Sequence, residues 1–169
     1  MGQPTLPYIL LLESSTSVCS VALAQDSRII AIQETKEGNK HSEWMTTYIQ
    51  QVMDEAGLEF NQLDAIAVSA GPGSYTGLRV GYSVAKGLAY RLNIPLIEVD
   101  TLMSLARSYI HEGNSTAGDI VIPMIDARRM EVYQKAVNNN GDEVKALEAH
   151  ILHYQSFDAF ITYDRICLI

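Results

Sequence analysis

The chain has 169 residues, of which 47% are hydrophobic, enough to bury a core in one domain or in two small ones. Its net charge of −8 is scattered rather than blocked, so on its own it has little electrostatic reason to hold nucleic acid. The opening apolar run, Ile9 to Leu12, is far short of the ~20 residues of a membrane span, and the two cysteines, Cys19 and Cys167, show neither a disulfide nor a metal spacing. A cytoplasmic protein without a membrane segment is expected.

Tyr8 to Glu13, Val18 to Ala24 and Arg28 to Glu34 are short β-type runs separated by Ser14-Ser15-Thr16-Ser17 and Gln25-Asp26-Ser27, the pattern of an antiparallel meander. The period then becomes helical from His41 to Ala56, with Gly57 as C-cap. Asp64 to Ala70 reads as a strand, Ser74 to Leu92 as a helix, Pro95 to Val99 as a strand and Thr101 to His111 as a third helix. The order is βββαβαβα, a mixed sheet flanked by helices.

Between the strand at Ile66 and the second helix lies Gly71-Pro72-Gly73-Ser74. Gly71 and Gly73 permit a sharp turn and Ser74 suits an N-cap, which leaves two readings: free N–H groups aimed at an anion, or a plain tight strand-to-helix turn. The spacing fits neither a dinucleotide fingerprint nor a P-loop. In the helix, Gly77, Gly81, Ala85 and Ala89 fall in one i, i+4 row, a smooth strip open to close approach, with Arg79, Ser83, Lys86 and Tyr90 opposite. The first helix carries Trp44, Met45, Tyr48, Ile49, Val52, Met53 and Ala56 over about half its circumference, wider than the ~100° stripe that one sheet needs. Trp44, Tyr48, Val52, Gly77, Gly81, Ala85 and Ala89 are therefore the candidate partner interface, with the second helix of the same domain as the competing cover for the first.

A polar linker, Glu112 to Asp119, precedes a second pass through the same order. Ile120 to Asp126 is apolar and ends in an acid, as Tyr8 to Glu13 does; Glu143 to Ile151, a short helical piece at Ser156 to Phe160 and Ile166 to Ile169 follow. This points to an internal duplication with domains at 1–111 and 112–169, the second incomplete, and a further C-terminal segment is expected beyond Ile169. His41 and His111 stand alone near helix ends, and His150 and His153 are three apart, where strand geometry turns them to opposite faces. All four read as surface histidines. No metal site is expected, and no nucleophile has a base beside it.

Leu11-Leu12-Glu13-Ser14-Ser15-Thr16, Gly71 to Gly81, Ala85-Lys86-Gly87-Leu88-Ala89 and Ile125-Asp126-Ala127-Arg128-Arg129-Met130-Glu131-Val132-Tyr133 closely resemble the bacterial TsaB (YeaZ) family, from about Tyr8 to Tyr133. The tandem units also resemble the actin, sugar-kinase and Hsp70 type of ATPase fold, the ASKHA class of α/β proteins. The resemblance implies a non-catalytic scaffold subunit of the complex that makes threonylcarbamoyladenosine at position 37 of tRNAs reading codons that begin with A. The implied partners are a TsaD-like catalytic paralogue, related to glycoprotease-like proteins, and a TsaE-like ATPase. Transfer RNA would be met only through the complex, and a homodimer would form in isolation through the helices. Glu13, Ser14 and Ser15 occupy the place where the fold class grips a phosphate and its magnesium, and Asp126 the corresponding second hairpin; with the turn at Gly71, Gly73 and Ser74 they are the candidate nucleotide-facing residues, and ATP or ADP with magnesium is expected only in company with the partner. The rival readings are an ASKHA-type ATPase or kinase and a glycoprotease-like metallopeptidase.

Overall fold

The computed structural model describes residues 6–35 and 41–169. The chain divides into two compact units between Val99 and Asp100.

The first unit holds β1 (Tyr8–Glu13), β2 (Cys19–Gln25), β3 (Arg28–Thr35), α1 (His41–Ala56), β4 (Ala65–Gly71), α2 (Tyr75–Leu92) and β5 (Leu96–Asp100, whose last residue opens the second unit). Its sheet runs β3-β2-β1-β4-β5, with β1–β2 and β2–β3 antiparallel and β1–β4 parallel. Short turns permit the two antiparallel pairings, and the parallel pair needs α1 as its crossover. The core consists of Leu10, Leu12, Val21 and Leu23 from the sheet, Ile66 and Val68 from β4, and Met45, Ile49, Val52 and Met53 from α1.

The second unit holds α3 (Thr101–His111), β6 (Asp119–Ile122), β7 (Met124–Arg128), β8 (Glu131–Asn138), β9 (Glu143–Ile151) and β10 (Arg165–Leu168). β8 pairs antiparallel with β6, β7 and β9, and β10 lies parallel to β6. With β6 and β7 taken as one interrupted strand, this repeats the first unit's arrangement of β3, β2, β1 and β4. The interruption falls at Pro123, which has no N–H for a ladder, so the single strand expected over Ile120 to Asp126 is two. Asp158–Phe160 forms a 3-10 turn where the first unit has α1.

The division also lies elsewhere than the 111/112 boundary read from composition. α3 packs Ala106 against Val121, Val137 and Cys167, so the polar segment after it is a loop inside the second unit.

Candidate functional site

The β1–β2 hairpin and the start of α2 meet in one tightly knit polar cluster. Ser14 and Ser15 are buried, and Glu13 is half-buried. Glu13 Oε1 accepts from the Ser15 N–H at 2.5 Å and from Ser69 Oγ at 3.1 Å, and Ser69 Oγ in turn accepts from the Ser14 N–H at 3.4 Å. Ser14 Oγ donates to the Gly77 carbonyl at 2.9 Å. The Ser74 N–H donates to the Ser15 carbonyl at 2.6 Å, while Ser74 Oγ caps α2 by accepting from the Gly77 N–H at 3.3 Å.

The glycines serve this contact. A Cβ on Gly73 would overlap the Ser15 carbonyl, one on Gly77 the Ser14 carbonyl, and one on Gly81 the Ser14 hydroxyl. Gly71, at φ +98°, supplies the left-handed turn that brings the chain there. The close backbone approach is thus to the protein's own hairpin. Of the groups expected to face phosphate, the Ser14 hydroxyl, the Ser15 and Ser74 N–H groups and one Glu13 oxygen are already bonded within the fold. Ser15 Oγ is buried with no partner. This donor set does not fit a phosphate in the arrangement seen, because the space beside Gly73 is filled by Ser15.

Asp126 belongs to the second unit and is exposed. Its Oδ1 accepts from the Arg128 N–H at 2.8 Å, bracing a turn in which Arg128, Arg129 and Met130 all have positive φ.

The expected partner interface requires correction. Gly77, Gly81, Ala85 and Ala89 are the buried residues of α2, facing the hairpin and core of their own unit. Tyr48 and Val52 belong to that core too, and Trp44 is half-buried against it, stacked on Tyr48 with ring centroids 5.5 Å apart. The small row is smooth so that α2 can lie on Ser14 and β4, which leaves it no outer surface. The residues set opposite it, Arg79, Ser83, Lys86 and Tyr90, are exposed.

The histidines also differ from expectation. Beyond the end of β9 the chain turns, so the His150 and His153 rings lie 5.5 Å apart instead of on opposite faces. His150 is largely buried, with Nδ1 3.8 Å from Glu148 and Nε2 unpartnered. His111 is exposed, and the side chain of His41 lies outside the described residues. Among the described residues no group of three or more His, Cys, Asp or Glu is placed to hold a metal.

Two groups of charged residues in the second unit escaped the pattern reading. The buried Lys135 ammonium lies 2.8 Å from both Asp100 and Glu143, and Asp100 also caps α3 through the Met103 N–H. Burial works against the Lys135 charge, but bonds to Asp100 and then Glu143 outweigh it and hold its pKa above the ordinary lysine value. Asp100 is held below the carboxylate range, its desolvation outweighed by Lys135 and the Met103 N–H. Asp119 pairs with Arg165 at 2.5 Å and accepts from the Thr116 N–H, which lowers its pKa to about 2. The single basic residue of β8, Lys135, next to the run Ala136-Val137, was the available signal. Ser69, which ties Glu13 to Ser14, was marked only by being the hydroxyl in the apolar run of β4.

Two tandem units of matching strand order define the duplicated α/β architecture of actin, sugar kinases and Hsp70. The ROK hexokinase from Thermus thermophilus superposes with a TM-score of 0.50 at 14% identity, over 82% of this chain and 48% of that one, a likeness of fold alone. Closer relationships are specific. The family model "TsaD: tRNA N6-adenosine threonylcarbamoyltransferase" matches residues 29–158. The chain is 36% identical over 127 residues to a Haemophilus influenzae protein named tRNA threonylcarbamoyladenosine biosynthesis protein TsaB, covering 74% of this chain and 51% of the relative. The Escherichia coli protein of the same name is 34% identical, over 86% of this chain and 64% of its own length. YeaZ from Pseudomonas aeruginosa superposes with a TM-score of 0.72 at 32% identity, over 87% of this chain and 68% of that one. The chain belongs to the TsaB/YeaZ family, and it spans about half to two-thirds of the length of these curated relatives. No helix among the described residues is long and apolar enough to cross a membrane.

Proposed function

We propose that the chain is a non-catalytic scaffold subunit of the complex that installs the threonylcarbamoyl group on adenosine 37 of tRNAs reading codons that begin with A. The observation that carries this reading is the 34–36% identity to proteins named for threonylcarbamoyladenosine biosynthesis, combined with a hairpin whose Ser14 hydroxyl and one Glu13 oxygen are spent on internal bonds. A TsaD-like paralogue supplies the chemistry, a TsaE-like ATPase completes the machinery, and tRNA is met in the cytoplasm through the assembled complex. The docking surface is the outer side of α1 and α2, used by the paralogue in the complex and by a second copy in isolation. Nucleotide and magnesium bind only where the partner adds donors, so the isolated chain turns over negligible ATP. The kinase and peptidase readings draw no support from the cluster, in which the Ser14 and Ser15 hydroxyls are buried and one Glu13 oxygen is already bonded.

The test is reconstitution with the TsaD-like and TsaE-like proteins of the same host, unmodified tRNA, ATP, magnesium and an activated threonylcarbamoyl donor, followed by nucleoside analysis of the tRNA. Threonylcarbamoyladenosine is expected to form only when the chain is present. Equal formation without it, or robust magnesium-dependent ATP hydrolysis by the chain alone, overturns the reading.

A further inference from the structure

Asn138 ties off the β8–β9 hairpin. Its N–H donates to the Asp142 carbonyl at 3.0 Å and its carbonyl accepts from the Gly141 N–H at 3.0 Å. Its side chain is equally engaged, with Oδ1 accepting from the N–H groups of Asn140 and Asp142 at 2.9 and 3.0 Å and Nδ2 donating to Asp142 Oδ2 at 3.0 Å. The bond from Gly141 to Asn138 closes a turn with Asn139 and Asn140 at its centre. Gly141 follows at φ +84°, the left-handed position that a three-residue hairpin loop needs.

Asn140 is placed differently from Asn138. It is exposed, its side-chain amide has no bond among the described residues, and it precedes the glycine, the one Asn-Gly step in the chain. The Gly141 nitrogen is therefore open to its neighbour with no Cβ in the way. Arg107 of α3 stands beside it, since a Cβ on Gly141 would lie 3.8 Å from the Arg107 Nε. A cation there favours the negative charge that develops when the amide nitrogen loses its proton.

We infer that Asn140-Gly141 is a self-modification site, at which the asparagine converts to isoaspartate and aspartate through a cyclic imide. The Gly141 nitrogen gives its proton to solvent and attacks Cγ of Asn140. A C–N bond forms, the bond from Cγ to Nδ2 breaks, and ammonia leaves with a proton taken from solvent. Water then opens the five-membered ring. Attack at the Asn140 main-chain carbonyl gives isoaspartate, and attack at Cγ gives aspartate. One water is consumed and one ammonia released, with no oxidant or reductant. The Gly141 N–H must first leave the Asn138 carbonyl, so the reaction runs on brief local opening of the hairpin tip. Either product adds a negative charge to a turn that already holds Asp142 and leads into Glu143, the partner of the buried Lys135. Isoaspartate also lengthens the backbone by one atom between Asn138 and β9.

The experiment is storage of the purified chain at about 37 °C and neutral pH, native and in concentrated guanidinium, followed by peptide mass spectrometry and enzymatic methyl labelling of isoaspartate. In the native chain Asn140 is expected to convert at least about tenfold faster than Asn138 or Asn139, with isoaspartate the major product. Asn140→Gln is expected to abolish the label in that peptide while leaving the thermal melt unchanged. Arg107→Gln is expected to slow native conversion about threefold and to leave the rate in guanidinium as it was. Equal native rates at Asn139 and Asn140, or conversion in guanidinium alone, overturns the site. An Arg107→Gln chain that converts as fast as the original overturns the part given to Arg107.

Discussion

The Ser14 hydroxyl donates to the Gly77 carbonyl at 2.9 Å, fastening the β1–β2 hairpin across the first turn of α2. The contact exists because Gly77 and Gly81 have no side chain: a Cβ at either would fall on Ser14. Gly77→Ala and Gly81→Ala are each expected to cost about 1–3 kcal/mol by forcing the hairpin and helix apart. Gly87, in the same helix, faces open space, and Gly87→Ala is expected to add about 0.5–1 kcal/mol. Urea unfolding midpoints of the three variants check this contrast, and equal effects at Gly77 and Gly87 would refute the fastening.

Ala85 continues the same row and is fully buried. Ala85→Trp is therefore expected to disrupt the unit itself, at about 3 kcal/mol or more, and not to serve as an interface probe. Circular dichroism and denaturation on the purified variant decide the matter. A folded, fully stable Ala85→Trp would mean that the row has free space above it.

The misassigned row shows where sequence reading stops. An i, i+4 line of Gly and Ala identifies a smooth face, but the two residues are nearly neutral in hydrophobicity, so the pattern cannot say whether a neighbouring subunit or the chain's own backbone lies against it. What settles the question is Ser14, more than sixty positions upstream, brought there by the parallel pairing of β1 with β4. Local signals carried α1 and α3 to the residue, His41–Ala56 and Thr101–His111, because caps and periodicity are short-range. The allegiance of α3 was not legible, since it depends on Ala106 meeting Val121 and Val137, whereas the polar loop after it resembles a linker. The paired strand orders of the two units follow from the repeated acid-ended strand, although the apolar run through Pro123 hides the break between β6 and β7.

Lys135 is buried with two carboxylates, Asp100 and Glu143, that are themselves partly exposed. Removing the lysine leaves the acids able to rehydrate but empties its packed stem, so Lys135→Ala is expected to cost about 1–3 kcal/mol. Glu143→Gln leaves Asp100 in place and is expected to cost under about 1 kcal/mol. Because the Lys135 pKa is raised by folding, its contribution is complete below the unfolded lysine value near ~10.4 and lost as pH rises through the folded value. Thermal melts of the three proteins at neutral and alkaline pH test the order, and a larger loss for Glu143→Gln than for Lys135→Ala would contradict it.

Asp119 opens β6 and is held by Arg165 and by both the N–H and hydroxyl of Thr116. Its folded pKa of about 2 lies below the ~3.9 of an unfolded aspartate, so the unfolded chain takes up the proton first as acid is added. The pairing's contribution is therefore complete above about pH 5 and disappears as pH falls through about 2. Asp119→Asn removes the charge that Arg165 pairs with and lacks this dependence. The stability gap between the original protein and Asp119→Asn, read from urea midpoints at pH 6, 4, 3 and 2, is expected to be widest at pH 6 and to shrink steadily toward pH 2. Arg165→Gln should reproduce that narrowing, because it removes the first cause of the lowered pKa. A gap that stays constant across the series would show that Asp119 titrates alike in the folded and unfolded chain, and the ion pair would then contribute nothing to the acid limb.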